Sequence, residues 1–225
     1  MIFDAQTDDI LLTHAKRLAD ENLLGVTVGC AGFAKILAEQ LFPDGKEVAY
    51  KLQKPVIVVC GSVNPITKKQ IEYVEKEYPR ISLTAQQLLD PTYREASVGQ
   101  NEIKEYLQLM ETQPLVIFET YSDQTTAEIV KYSEEKALSA DVCRFRIGES
   151  LGKLTKALWS KHQENTFLFT GGDTSVLGVT GIKPLTEIKP GVVLSAIEWN
   201  SQEMQVITKS GGFGTEELFE EIRLY

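Results

Sequence analysis

The sequence predicts an α/β fold: a mostly parallel, mixed sheet flanked by helices, with glycine turns at strand ends. Two observations predict it. Short apolar runs alternate with segments of helical periodicity, the pattern of strands joined by crossover helices. Three of those runs end in glycine-bearing turns: VIVVCGSVNPIT at 56–67, FLFTGGDTS at 167–175 and VITKSGGFGTEE at 206–217. In a parallel sheet such turns share one edge, where open α/β folds hold their ligands. A turn without side chains lets backbone N–H groups approach a phosphate. A helix starting there adds the positive end of its dipole. Three turns on one edge suit a polyphosphate, and so a nucleotide.

The elements follow in chain order. Met1 to Asp4 reads as the end of a short strand. Residues 7–21 read as a helix capped by Thr7, with Ile10, Leu11, His14, Ala15 and Leu18 on its apolar side. GVTVGCAG (25–32) reads as a short strand, followed by a helix with Phe33, Ile36, Leu37 and Leu41 on one face. The polar, turn-rich stretch 43–54 marks a boundary. Pro55–Cys60 is a continuous apolar run of the kind buried on both faces of a sheet. Thr67 and Gln70 have the spacing of a capping box opening a helix to about Tyr78, and Thr84 with Gln87 repeats it before a brief helix ending ahead of Pro91. Strands are expected at 81–83, 115–119 and 166–170, and helices at 97–111, from Thr125 to about 137, and at 148–163. Two late strands, 191–198 and 204–209, introduce an antiparallel element, and Thr215 caps a final helix. The expected domains are 1–45 and 55–225.

Composition narrows the function classes. The chain has 225 residues and a net charge of −9, with no basic face to suit nucleic acid or an anionic membrane surface. Cys30, Cys60 and Cys143 form no CxxC pair and read as small buried apolar residues. His14 and His162 are the only histidines, too few for a His-rich metal site. The N-terminus lacks the basic and apolar regions of a signal peptide, so a cytoplasmic protein is expected.

Each candidate site residue has a plain structural reading beside the functional one. In the turn 171–174, Gly171 and Gly172 would expose amides, Asp173 would hold magnesium through water, and Thr174 would donate to a phosphate or cap a helix. In KSGGFG (209–214), Lys209 offers a point charge to a phosphate, while Ser210, Gly211, Gly212 and Gly214 clear the approach. Phe213 either sits under a base or plugs the core. Ser62 either binds a phosphate or ribose, or forms a local turn with Asn64 and Pro65, and the local turn is favoured. Glu119, Ser122 and Asp123 close another strand and read mainly as structural. Lys16, Lys35 and Lys153 read as solvated helix faces. Neither a Walker A motif nor a GxGxxG fingerprint is present.

The motifs GSxxPxT (61–67), TGGDT (170–174) and TKSGGFG (208–214), with EIKPGVV (187–193) between the last two, resemble the four-carbon acid sugar kinase family. The resemblance implies an ATP-dependent kinase that phosphorylates threonate, erythronate or 3-oxo-tetronate with ATP and Mg²⁺. It implies that Ser62, Gly171 to Thr174 and Gly211 to Gly214 contact ATP. The Asp-Asp-x-Thr-Gly turn that opens the family's sugar-binding domain is absent, so residues 1–45 resemble only the tail of that domain. The stretch 176–182 is also short for the helix and strand the family places after GGDT. The implied reading is the ATP-binding part of such a kinase, as a fragment, a split subunit or a truncation. It would be inactive alone, and would work with a separate sugar-binding half or as a homo-oligomer. The general base is not assigned to any residue. The alternative is a non-catalytic nucleotide-binding or sensing module; an oxidoreductase is disfavoured by the missing fingerprint.

Overall fold

The computed structural model describes residues 2–43, 49–171, 181–199 and 202–225. It divides into two units, Met1–Ala49 and Tyr50–Tyr225.

The first unit is a helix pair, α1 (Asp8–Asp20) and α2 (Ala31–Leu41). Thr7 caps α1 as its sequence position requires, its side chain accepting from the Ile10 N–H. Ala15, Leu18 and Phe33 are buried between the helices, with Leu11, Ile36 and Leu37 around them. The strands expected at 1–4 and 25–32 are not formed: Phe3 and Asp4 are irregular, and Leu24–Val26 is a 3-10 turn. The small unit has no other strand among its described residues, so an extended segment there has no ladder partner for its backbone groups.

The second unit is built on a seven-stranded sheet in the order β2-β3-β1-β4-β7-β6-β5. Its strands are β1 (Val56–Cys60), β2 (Arg80–Ser82), β3 (Leu115–Glu119), β4 (Thr166–Thr170), β5 (Ile182–Lys189), β6 (Val192–Trp199) and β7 (Gln202–Lys209). Pairing is parallel from β2 through β7, and only β6 runs against the rest. β1, β3 and β4 are buried along their whole length. Their side chains alternate between two cores, Ile57 and Val59 facing one, Val56, Val58 and Cys60 the other. The first core is closed by α4 (Ala85–Leu89), α5 (Ser97–Thr112) and α7 (Ala140–Trp159), the second by α3 (Pro65–Val74) and α8 (Leu218–Leu224).

Several boundaries differ from the expected ones, each for a local reason. The α3 helix begins at Pro65 and is capped by Asn64, whose side chain accepts from the Ile66 N–H, so Thr67 lies inside the helix. Proline at the first helical position, with a preceding Asn, outcompetes the Thr67 signal. The helix α6 (Asp123–Glu135) is likewise capped one turn earlier, by Ser122, whose Oγ accepts from the Thr125 N–H. At Thr84 the capping box forms with both of its hydrogen bonds. The α7 helix starts at Ala140 under a Ser139 cap, two turns before the expected start; exposed Asp141, Arg144 and Phe145 surround a thin inward face of Cys143 and Ile147 in its first turns. The final helix starts at Leu218 without a side-chain cap, and Thr215 stands three residues ahead of it. The unforeseen β5 is an edge strand, mostly exposed, with Pro184 in it and two register irregularities against β6.

Candidate nucleotide site

The registers align the last residues of four strands: Glu119 beside Cys60, Cys60 beside Thr170, and Thr170 beside Lys209. The turns leaving β1, β4 and β7 therefore start from one rim. The chain leaves β1 toward β2 and leaves β4 toward the opposite edge. The rim between β1 and β4 is thus a topological switch point, where outgoing loops diverge and leave a crevice.

The turns touch. The Gly61 N–H donates to the Thr170 carbonyl at 2.9 Å. Gly171 has φ +111, and a Cβ there would lie 2.8 Å from the Gly61 carbonyl carbon and 2.9 Å from the Ser62 nitrogen. A Cβ on Gly211 would strike Ser62 Oγ and Asn64. Gly212 is different: it is exposed, and a Cβ would have only Asn64 Nδ2 near it, at 3.7 Å. The remaining members of the second turn, Gly172, Asp173 and Thr174, lie outside the described residues.

Two residues of α3 hold the third turn. Thr67 Oγ1 donates to the Gly211 carbonyl at 2.8 Å, and Gln70 Nε2 donates to the carbonyls of Phe213 and Thr215, each at 2.9 Å. Both side chains are fully buried. They were expected to cap the helix; their signal for this role was a polar pair on the same inward face as Ile71 and Val74. We expect Thr67→Val to lower the unfolding free energy by about 1–3 kcal/mol, read by denaturant titration, because it removes a buried hydroxyl that donates to the Gly211 carbonyl and accepts from the Lys209 ammonium.

Lys209 departs from its expected posture. It is buried, and its ammonium donates to Thr67 Oγ1 at 3.1 Å, Ser210 O at 3.0 Å and Gly211 O at 3.2 Å. It props the turn from beneath instead of projecting over it. Burial pulls its pKa down to about 8. Neighbouring Cys60 is pushed up to about 11, also by burial, and stays a neutral thiol.

The other candidates each have contacts of their own. Ser62 Oγ accepts from the Asn64 N–H at 3.2 Å, as the local-turn reading expects. Ser210 is exposed, and its carbonyl also accepts from the Phe213 N–H. The Phe213 ring lies against Gly191 in the β5–β6 turn and stays 44% exposed, so it plugs no core. Gly214 has φ +87. Buried Glu119 is engaged by Arg80, Ser82 Oγ and the Tyr121 N–H. Asp123 is exposed, 3.8 Å from Lys68. Lys16 and Lys35 are solvated, but Lys153 donates to the Pro91 carbonyl and pairs with Glu149. Cys60 and Cys143 are buried, whereas Cys30 is exposed in the first unit, against expectation. Among the described residues no group of three or more His, Cys, Asp or Glu gathers to hold a metal, and no helix is long and apolar enough to cross a membrane.

A doubly covered α/β sheet with glycine turns meeting at its switch point is the architecture of a nucleotide-binding domain. The family model for the nucleotide-binding C-terminal domain matches residues 57–219, and the chain belongs to that family. The chain is 24% identical over 233 residues to D-threonate kinase of Salmonella typhimurium, covering 96% of this chain and 52% of the relative. It is 26% identical to 3-oxo-tetronate kinase of Haemophilus influenzae, covering 97% and 51%. The chain thus spans about half the length of the curated relatives it matches. Among solved structures, a DUF1537 protein of Haemophilus influenzae superposes with TM-score 0.69 at 24% identity, covering 96% of this chain and 51% of that one. A Salmonella typhimurium LT2 protein reaches 0.74 at 21%, covering 98% and 51%. These likenesses bear out the fold and the family resemblance read from the motifs.

Proposed function

We propose that this chain is the ATP-binding part of a kinase acting on a four-carbon sugar acid of the threonate, erythronate or 3-oxo-tetronate type, and that residues 1–45 are the tail of its acceptor domain. The observation that carries the reading is the meeting of the Gly61, Gly171 and Gly211 turns at the switch point, in a chain whose curated relatives are kinases of such acids. The fit is steric: side chains at Gly171 and Gly211 would invade the neighbouring turn, while the space over Gly212 is open. ATP would supply the transferred phosphoryl group. The residues proposed to receive it are Ser62, Gly171 to Thr174 and Ser210 to Gly214, with Lys209 acting through the turn it supports. Magnesium is assigned to Asp173. Phosphoryl transfer depends on positioning and charge stabilisation, and glycine turns over a buried lysine supply both.

Calorimetry with Mg·ATP tests the nucleotide half of the proposal, and binding is expected. ADP release with each of the three acids, against a blank without acceptor, tests the rest. This chain alone is expected to show no acceptor-dependent rate, because holding the acceptor in line contributes on the order of 7–11 kcal/mol to such a barrier. A clear rate would mean that residues 1–45 belong to a complete acceptor site. Binding of ATP with no turnover even beside a sugar-binding half would favour the sensing module.

A further inference from the structure

We propose that the nucleobase of the bound nucleotide lies in the apolar cleft between α6, α7 and the ends of β1 and β3. This deepens the nucleotide reading above and rests on it. The cleft has a volume of about 470 Å³, within the usual range for small-molecule sites. Gly61 and Val63 form the end toward β1, Tyr121 stands at the end of β3, and Ile129, Val130 and Ile147 form the helical walls.

Three observations point to a base. First, the cleft is continuous with the rim: Gly61 lines it and also donates to Thr170, beside the close-packed Gly171. A molecule with phosphates on the glycine turns has this cleft within its own length. Second, the helical walls are largely apolar, and the two hydroxyls they carry are already engaged within the helix. Thr126 Oγ1 donates to the Ser122 carbonyl at 2.9 Å, and Ser133 Oγ to the Val130 carbonyl at 2.7 Å. Arg144, at the margin, has Asp141 within 3.6 Å. Such walls suit a flat, uncharged ring and do not suit a sugar acid, whose carboxylate and hydroxyls need polar partners. Third, apolar surface stands open here: Val63 is 67% and Val130 is 51% exposed. Covering such side chains with a ring is favourable in proportion to the area removed from water.

The test separates base from phosphate. The whole chain and a Val130→Trp variant are titrated with Mg·ADP and with inorganic tripolyphosphate. Val130 is half exposed on a helix, so the variant is expected to melt at the parent temperature; Thr126→Trp, at another exposed position on the wall, serves as the second variant. ADP binding is expected to weaken at least tenfold in both variants, with tripolyphosphate binding unchanged. Unchanged ADP binding in both variants overturns the inference, as does a parallel loss of both ligands. Equal affinity of the parent chain for ADP and tripolyphosphate also overturns it, while leaving the phosphate rim standing. If the parent chain binds neither, the nucleotide reading itself falls and the inference with it.

Discussion

Gly212→Val is expected to fold and melt as the parent chain does, yet to lose Mg·ATP binding by more than about a hundredfold, a change of roughly 2.7 kcal/mol. A simple reading of its glycine-rich motif would attribute the loss to backbone strain. The structure removes that reason, since Gly212 is not in the left-handed region and a Cβ finds only Asn64 Nδ2 at 3.7 Å. What the valine would occupy is the open space above the turn, where phosphate oxygens are proposed to rest. Gly171→Val is the contrasting case. There φ is +111 and backbone atoms of Gly61 and Ser62 lie within 3 Å of the new carbon, so a loss of about 3 kcal/mol of stability is expected. Calorimetry beside thermal melts separates the two. Full affinity in a folded Gly212→Val chain would remove the third turn from the phosphate site.

The second large effect concerns pH. Lys209 is buried without a carboxylate among its hydrogen-bond partners, and its pKa is lowered to about 8. The sign for stability follows from proton counting. Between about pH 8 and the ordinary lysine range the unfolded chain binds more protons than the folded one, so Lys209's contribution to stability rises with pH across that window. The sign for phosphate is the reverse. An anion on the turn favours the ammonium form, so binding takes up a proton and affinity falls as pH climbs through 8. Cys60 stays out of the balance below about pH 9; above it the unfolded thiol ionises while the buried one, pushed up to about 11, does not, and its contribution runs in the opposite direction. We therefore expect chain stability to increase and pyrophosphate affinity to decrease over pH 7.5–9, and Lys209→Met to flatten both trends while lowering affinity about tenfold at pH 7, on the order of 1.4 kcal/mol. Denaturant melts and calorimetry across that range decide it. An affinity that follows the same pH curve in Lys209→Met would show that this lysine's charge does not reach the ligand.

What was legible in the sequence was whatever has a period or a fixed local chemistry. The runs of β1, β3 and β4 carry polar residues only at their ends and are apolar between, so their burial on both faces was readable. Thr7 and Thr84 were readable as caps because nothing upstream competed with them. Thr67 and Thr125 misled because Asn64-Pro65 and Ser122 offered better caps one turn earlier. The glycine turns were legible as a set, since parallel strands fix where their ends go. The posture of Lys209 was not, because it depends on Thr67 and on carbonyls of its own turn, a contact made across 142 residues. The strand β5 escaped notice because its exposed side chains show neither alternation nor an apolar run.

That same strand bears on how copies of this chain can meet. One margin of the sheet is β2, three residues long; the other is β5, with a proline, lysines at 183 and 189, and two irregularities in its pairing. Short margins, margins lacking an amide, and margins carrying positive charge are poor templates for a foreign backbone. Self-association by zipping sheet to sheet is therefore disfavoured at both ends. A dimer of this unit is therefore expected to join through side chains and not by extending the sheet.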